Sequence, residues 1–196
     1  MSDTRQEKRV KERIAKDLAE HVITVRHEQG MYRHYRCQKP GTWNMGFDIV
    51  TWPGSLCYTG DMGDYLFQRT EDMIAFMRGS CMSYGYAAEK CVAHDGRVTE
   101  FSEERFREIL HDRIAEAEHG DRRKEVREKV DVILREFSNY SAPADAEKAM
   151  YESGLWDDMP SCKEYTFHFL WCLHALEWFC DHVAAGSRVV RDKVQS

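Results

Sequence analysis

The sequence predicts an α+β fold: an N-terminal helix, a small antiparallel sheet built as a meander, and a C-terminal helical bundle. Three observations lead there. Residues 3–21 place apolar side chains at helical spacing. Residues 22–67 change to a period of two, broken by closely spaced Gly and Pro turns. From Ser102 onward the helical period returns. Turns this close together favour antiparallel pairing, because a parallel crossover needs about a dozen residues or more. The two parts meet at residue 102. Residues 1–101 hold the helix and the sheet, and residues 102–196 form a helical part expected to pack on them as one domain.

Within residues 3–21, Val10, Ile14 and Leu18 form one apolar stripe, with charged residues of both signs on the other face. Ile23, Val25 and His27 then alternate with polar neighbours. Tyr32, His34 and Arg36 alternate with Met31, Arg33 and Tyr35, so two strands are expected around a turn at Gln29-Gly30. A loop at 39–42 leads into the longest predicted strand, Trp43 to Trp52. Pro53-Gly54 presets a tight turn, Pro fixing φ and Gly accepting φ > 0. Ser55 to Thr59 pairs back, Gly60 to Asp64 turns again, and Tyr65 to Phe67 adds a short strand. Thr70 is the expected cap of a helix that buries Met73, Ile74, Phe76 and Met77, with Gly79 as its stop. A second short helix is expected over 83–93, then a turn at Asp95-Gly96 and a short strand at Val98 to Glu100.

Ser102 caps the first helix of the second part, with Phe106, Ile109, Leu110 and Ile114 inward. Gly120 interrupts the pattern. The next helix carries Val126, Val130, Ile133, Leu134 and Phe137, and a third spans 143–153 up to Gly154. A last helix is expected from Cys162 to Ala184. It is apolar almost all round, which suits the middle of a bundle or a homodimer interface. Residues 188–196 are expected to fray.

The bulk composition narrows the function classes. The chain has 196 residues, 42% hydrophobic and 32% charged, with a formal net charge of −6. That is neither a disordered nor a membrane-spanning composition. Net acidity argues against coating nucleic acid through overall charge. The 7 cysteines are odd in number, and the N-terminus is charged where a secretory signal is apolar. Free thiols in a reducing, cytoplasmic compartment are therefore expected.

Two groups of residues are candidate sites. Asp48, Asp61 and Asp64 lie in or beside the hairpin Thr59-Gly60-Asp61-Met62-Gly63-Asp64. Glycines with carboxylates in a turn can hold a metal or a nucleotide phosphate through its metal. The Gly-Asp-x-x-Gly portion has a distant similarity to metallophosphoesterases, but the histidine and the separated ligands such a site needs are missing. A purely structural hairpin, with glycines at positive φ and aspartates capping turns, accounts for the same residues. The second group is the basic stretch of 31–39. Arg33, Arg36 and Lys39 with Tyr35 offer phosphate contacts and stacking for a nucleic acid or another partner. Its structural alternative is a solvated strand face whose cations pair with acidic helices.

No metal site is expected, since no Cys-x2-Cys occurs and His168 and His174 are six residues apart. No cofactor is expected either. The chain lacks the Gly-x-Ser-x-Gly elbow, the phosphate-binding Gly-rich loop and the dinucleotide fingerprint. An enzyme is disfavoured on that ground.

The block Phe47-Asp48-Ile49-Val50-Thr51-Trp52-Pro53-Gly54-Ser55-Leu56-Cys57-Tyr58-Thr59-Gly60-Asp61-Met62-Gly63, followed by Tyr65-Leu66-Phe67, Arg69 and Glu71-Asp72-Met73, resembles one found in small bacteriophage and prophage proteins. The resemblance implies a phage-encoded accessory protein that works in the cytoplasm of a bacterial host. Small acidic phage proteins of this kind act on host proteins or ribonucleoprotein complexes, including CRISPR effectors, by occluding a surface. An anti-CRISPR-like inhibitor is the function the resemblance implies, and it carries no catalytic or binding residue onto this chain.

Overall fold

The computed structural model describes residues 4–78, 83–96, 98–117, 120–137 and 143–191. The fold is α+β and divides into two units. The first comprises residues 1–98 and 165–196, the second residues 99–164.

The first unit begins with α1, Arg5–Asp17. Its start is a capping box: the Thr4 hydroxyl accepts the Glu7 N–H, and the Glu7 carboxylate accepts the Thr4 N–H at 2.7 Å. Val10 and Leu18 are fully buried. Strands β1 (Val22–Gln29), β2 (Tyr32–Gln38), β3 (Phe47–Trp52), β4 (Ser55–Gly60) and β5 (Gly63–Gln68) follow as an antiparallel meander. Then come α2 (Met73–Arg78), α3 (Tyr84–Lys90) and β6 (Cys91–His94), the last pairing with β5.

The second unit holds β7 (Thr99–Phe101), α4 (Glu103–Glu116), α5 (Asp121–Phe137), α6 (Pro143–Glu152) and the first two residues of β8 (Lys163–Tyr165), with β7 and β8 in a two-stranded ribbon. Ser102 caps α4 by accepting the Arg105 N–H at 3.1 Å. The helices close on Phe106, Leu110, Val130, Ile133, Ala146, Met150 and Cys162.

The chain returns to the first unit with α7 (Phe167–Ala185) and β9 (Val189–Arg191). The complete sheet has seven strands in the order β6-β5-β4-β3-β2-β1-β9, and β9 alone runs parallel to its neighbour. The inward face carries Ile23, Tyr35, Cys37, Phe47, Ile49, Leu56, Tyr58, Tyr65 and Phe67, all nearly or fully buried. On them lies α7, burying Phe169, Leu170, Trp171, Cys172, Ala175, Leu176, Phe179 and Cys180. Helices α1, α2 and α3 flank it.

This placement explains why the last helix is apolar on nearly every side: the sheet covers one side and flanking helices cover others. Much of the apolar surface of this helix is buried within the unit, while Phe167, Leu173, Trp178 and Val183 are half-buried. The placement also moves the helix out of the expected C-terminal bundle.

Local differences have local causes. The predicted strand from Trp43 starts only at Phe47, because residues 43–46 form a turn. Met45 adopts φ 56°, the Gly46 N–H donates to the Trp43 carbonyl at 2.7 Å, and the Asp61 carboxylate accepts the Met45 N–H at 2.9 Å. Asp72, not Thr70, caps α2, accepting the Ile74 and Ala75 N–H groups at 3.1 and 3.2 Å. The helix expected over 83–93 ends at Lys90, and Cys91–His94 join the sheet edge. The helix expected from Cys162 starts at Phe167 behind the Thr166 cap. Residues 189–191 pair with β1 instead of fraying. Gly79, Cys81 and residues 192–196 lie outside the described residues.

Candidate partner-binding face

Within the first unit the described helices pack against one face of the meander, and the residues of its second face are for the most part partly exposed. Register fixes which residues stand on it, since side chains alternate and cross-strand partners share a face. One row runs Thr24–Arg36–Asp48–Thr59–Asp64. The next runs His27–His34–Val50–Cys57–Leu66–Ala93. Beyond them Trp52 on β3 and Tyr32 on β2 are 36% and 59% exposed.

A bonded cluster sits in the middle of this face. Arg36 donates from Nε and Nη2 to the two Asp48 oxygens at 2.9 and 2.8 Å. Such a two-pronged pair fixes the guanidinium plane. Its carbon lies 5.0 Å from the centre of the Trp43 ring, within cation–π range. His34 Nε2 lies 3.2 Å from the same Asp48 carboxylate, out of line for a hydrogen bond. Burial pushes the Asp48 carboxyl up. The contacts and charges of Arg36 and His34 outweigh it and hold the carboxyl below its ordinary value. Asp48 is therefore a fixed anion that orients Arg36. It is not a spare ligand.

The other candidate residues are placed as follows. Asp61 holds the backbone of Met45. Asp64 accepts the Thr59 hydroxyl and the Gly60 N–H, and its own N–H donates to Asp95. These carboxylates tie the hairpin to itself, and no group of three or more His, Cys, Asp or Glu side chains suited to a metal occurs among the described residues. Tyr35 is buried, 2% exposed, so its ring presents no face to a base. Its hydroxyl donates to Glu28 at 2.8 Å. Arg33 lies on the helix side and donates through both Nη atoms to Asp72 at 3.0 and 2.9 Å. Lys39 pairs with Glu20 at 2.6 Å, with both side chains exposed. The structure thus separates the four basic-stretch residues, and only Arg36 stands in the open face.

Sequence reasoning missed Tyr32, Trp43, Trp52 and the apolar strip Val50, Cys57 and Leu66. The alternation of β2 already put Tyr32 on the Arg36 side, and that signal was available. Trp43 had none, because its approach to Arg36 depends on the turn at Met45. Also missed was a hydrogen-bonded chain on the helix side. Tyr84 Oη is 3.0 Å from His174 Nε2, and His174 Nδ1 is 3.2 Å from Glu177 Oε2. Tyr84 and His174 are 90 residues apart, so no spacing rule reports them.

Six of the cysteines are described, and all are free. Burial pushes the Cys180 thiol up to about 12 and drives those of Cys37 and Cys172 well above their usual range, which suits inert core residues. No helix among the described residues is long and apolar enough to cross a membrane. No protein-family model matches this chain, and no curated protein or solved structure matches it.

Proposed function

We propose that this chain is a phage-encoded accessory protein that works by covering a surface of a host protein or ribonucleoprotein complex, as an anti-CRISPR-like inhibitor of bacterial defence. The observation that carries the reading is the composition of the open sheet face. Trp43, Trp52, Tyr32 and an oriented Arg36 surround the apolar strip of Val50, Cys57 and Leu66. Trp, Tyr and Arg are the residues that dominate binding energy at protein interfaces. The antiparallel sheet holds them on a rigid support, so little side-chain freedom remains to be lost on binding. The phage-like block supplies the biological context, and the block itself builds β3, β4 and β5, the middle of that face.

The test is plating of a CRISPR-targeted phage on a defended host that expresses either the chain or its Tyr32→Glu/Trp52→Glu variant. Both changes are at exposed positions and leave the core untouched. The chain is expected to raise plating by orders of magnitude, and the variant is expected to lose the effect while keeping its melting temperature. No rise with the unmodified chain, or an equal rise with the variant, would count against the reading.

A further inference from the structure

We infer that a cleft on the helix side of the first unit binds a small zwitterion of the free α-amino-acid type with an apolar side chain. The cleft lies where α2 and α3 meet α7 and has a volume of about 290 Å³. That is at the small end of ligand pockets, which start at about 300 Å³.

Its lining combines three kinds of group. Met77, Leu173 and Leu176 make an apolar floor, with Cys180 as a buried and unreactive thiol. Tyr84, His174 and Glu177 make a wall that fixes itself. A carboxylate can only accept from His174 Nδ1–H, so the neutral ring is left with an unprotonated Nε2, which accepts the Tyr84 hydroxyl. The two rings meet edge to face with centres 5.9 Å apart. Side chains from α3 and α7 therefore hold each other in one arrangement, which is the preorganisation a binding site needs.

The third kind of group selects the ligand. Arg78 ends α2, and Asp181 stands one turn after Glu177 on α7. Both line the cleft. Among the described residues neither has an ion-pair or hydrogen-bond partner, and they do not pair with each other. The lining carries one cation, Arg78, and two carboxylates, Glu177 and Asp181. Glu177 is engaged by His174, so Arg78 and the unengaged Asp181 are the pair that complements a ligand carrying both charges on a small head. Its carboxylate meets Arg78, its ammonium meets Asp181, and its side chain rests on Met77, Leu173 and Leu176. A purely anionic ligand would leave Asp181 repelling it, and a purely cationic one would face Arg78. The inference does not depend on the open sheet face.

The test is calorimetric titration of the full chain with L-leucine and, separately, L-phenylalanine. Two analogues of leucine delete one charge each: the methyl ester lacks the carboxylate, and 2-hydroxy-4-methylpentanoate lacks the ammonium. Saturable binding of either amino acid is expected. Each analogue should bind at least about tenfold more weakly, as should L-leucine to Arg78→Gln and to Asp181→Asn. Both substitutions are at exposed positions, and unchanged melting curves verify folding. No saturable binding of either amino acid would overturn the inference. So would equal binding of the three leucine compounds, or binding unchanged in both variants.

Discussion

Replacing Gly60 by alanine tests the packing where β4 meets β3. Gly60 closes β4, opposite Phe47 on one side and Gly63 on the other. A Cβ there would lie 2.4 Å from the Gly46 carbonyl oxygen and 2.7 Å from both Cα and Cβ of Phe47. Those atoms belong to a paired strand and to a turn already tied by the Asp61 N–H, which donates to the Gly46 carbonyl at 2.9 Å. They cannot yield like the end of a flexible side chain. The cost should reach the upper part of the overpacking range, about 3 kcal/mol. For a chain of this size that lowers the melting temperature by about 6–12 °C. Two other glycines separate sterics from backbone conformation. Gly54 has φ +81° and open space around it, so Gly54→Ala costs only the left-handed penalty of about 1–2 kcal/mol. Gly85 is helical, and its added methyl meets only the Tyr165 hydroxyl at 3.4 Å. Gly85→Ala should therefore stabilise by about 0.5–1 kcal/mol. The assay is thermal unfolding followed by tryptophan fluorescence, since Trp43, Trp52, Trp171 and Trp178 all lie in the first unit. A Gly60→Ala melt no lower than that of Gly54→Ala would refute the steric argument.

Two further predictions concern the seam between α1 and the last strand. His21 is 2% exposed, its Nε2 is bonded to the Met45 carbonyl at 3.1 Å, and its Nδ1 has no partner. Burial lowers its pKa below 6.5 and outweighs the opposing Met45 bond and the Asp17 and Glu20 charges, with Arg188 adding to the lowering. The unfolded chain then binds the proton more readily, so this contribution is complete above 6.5 and is lost as pH falls through the folded value. The urea midpoint should drop between about pH 7.5 and about pH 5.5, and His21→Gln should flatten that part of the slope; equal slopes would contradict the assignment. Arg188, at φ 57°, donates from Nη1 to the carbonyls of Leu18, Ala19 and His21 at 3.2, 2.6 and 3.3 Å. Arg188→Ala should cost about 1.5–3 kcal/mol and speed amide exchange at Ile23, whose N–H donates to the Arg188 carbonyl. Unchanged exchange at Ile23 would show that the guanidinium does not secure this strand.

The meander was legible because its signals are short-range. Pro53-Gly54 and Gly60 to Gly63 set two hairpins whose registers follow from the turns themselves. The Ser102 cap and the helical stripes from Phe106 to Phe137 were equally local. What the sequence concealed depends on distant partners. Cys91–His94 becomes a strand because β5 offers an unpaired edge, and Val189–Arg191 because β1 does. The last helix has a weakly amphipathic pattern, so periodicity could not say which element it covers; the sheet of the first unit captures it through Tyr35, Phe47 and Tyr65. The same limit hid the Tyr84–His174 contact, which exists only because α3 and α7 are brought together.

The basic stretch shows how the pleat decides what a sequence patch becomes. Read linearly, Arg33, Tyr35, Arg36 and Lys39 form one cluster. On β2 the odd positions turn toward the helices. Arg33 locks onto Asp72, the cap of α2, and Tyr35 packs edge-on against Phe179 with ring centres 5.1 Å apart. These residues join sheet to helices, and exposing them to a partner would break that joint. The even positions, Tyr32, His34 and Arg36, turn to the open face, where Asp48 and Trp43 hold the guanidinium in place. A surface of this kind offers one oriented cation among aromatics, not a run of phosphate-binding charges. Such a surface gives a nucleic-acid backbone few phosphates to neutralise.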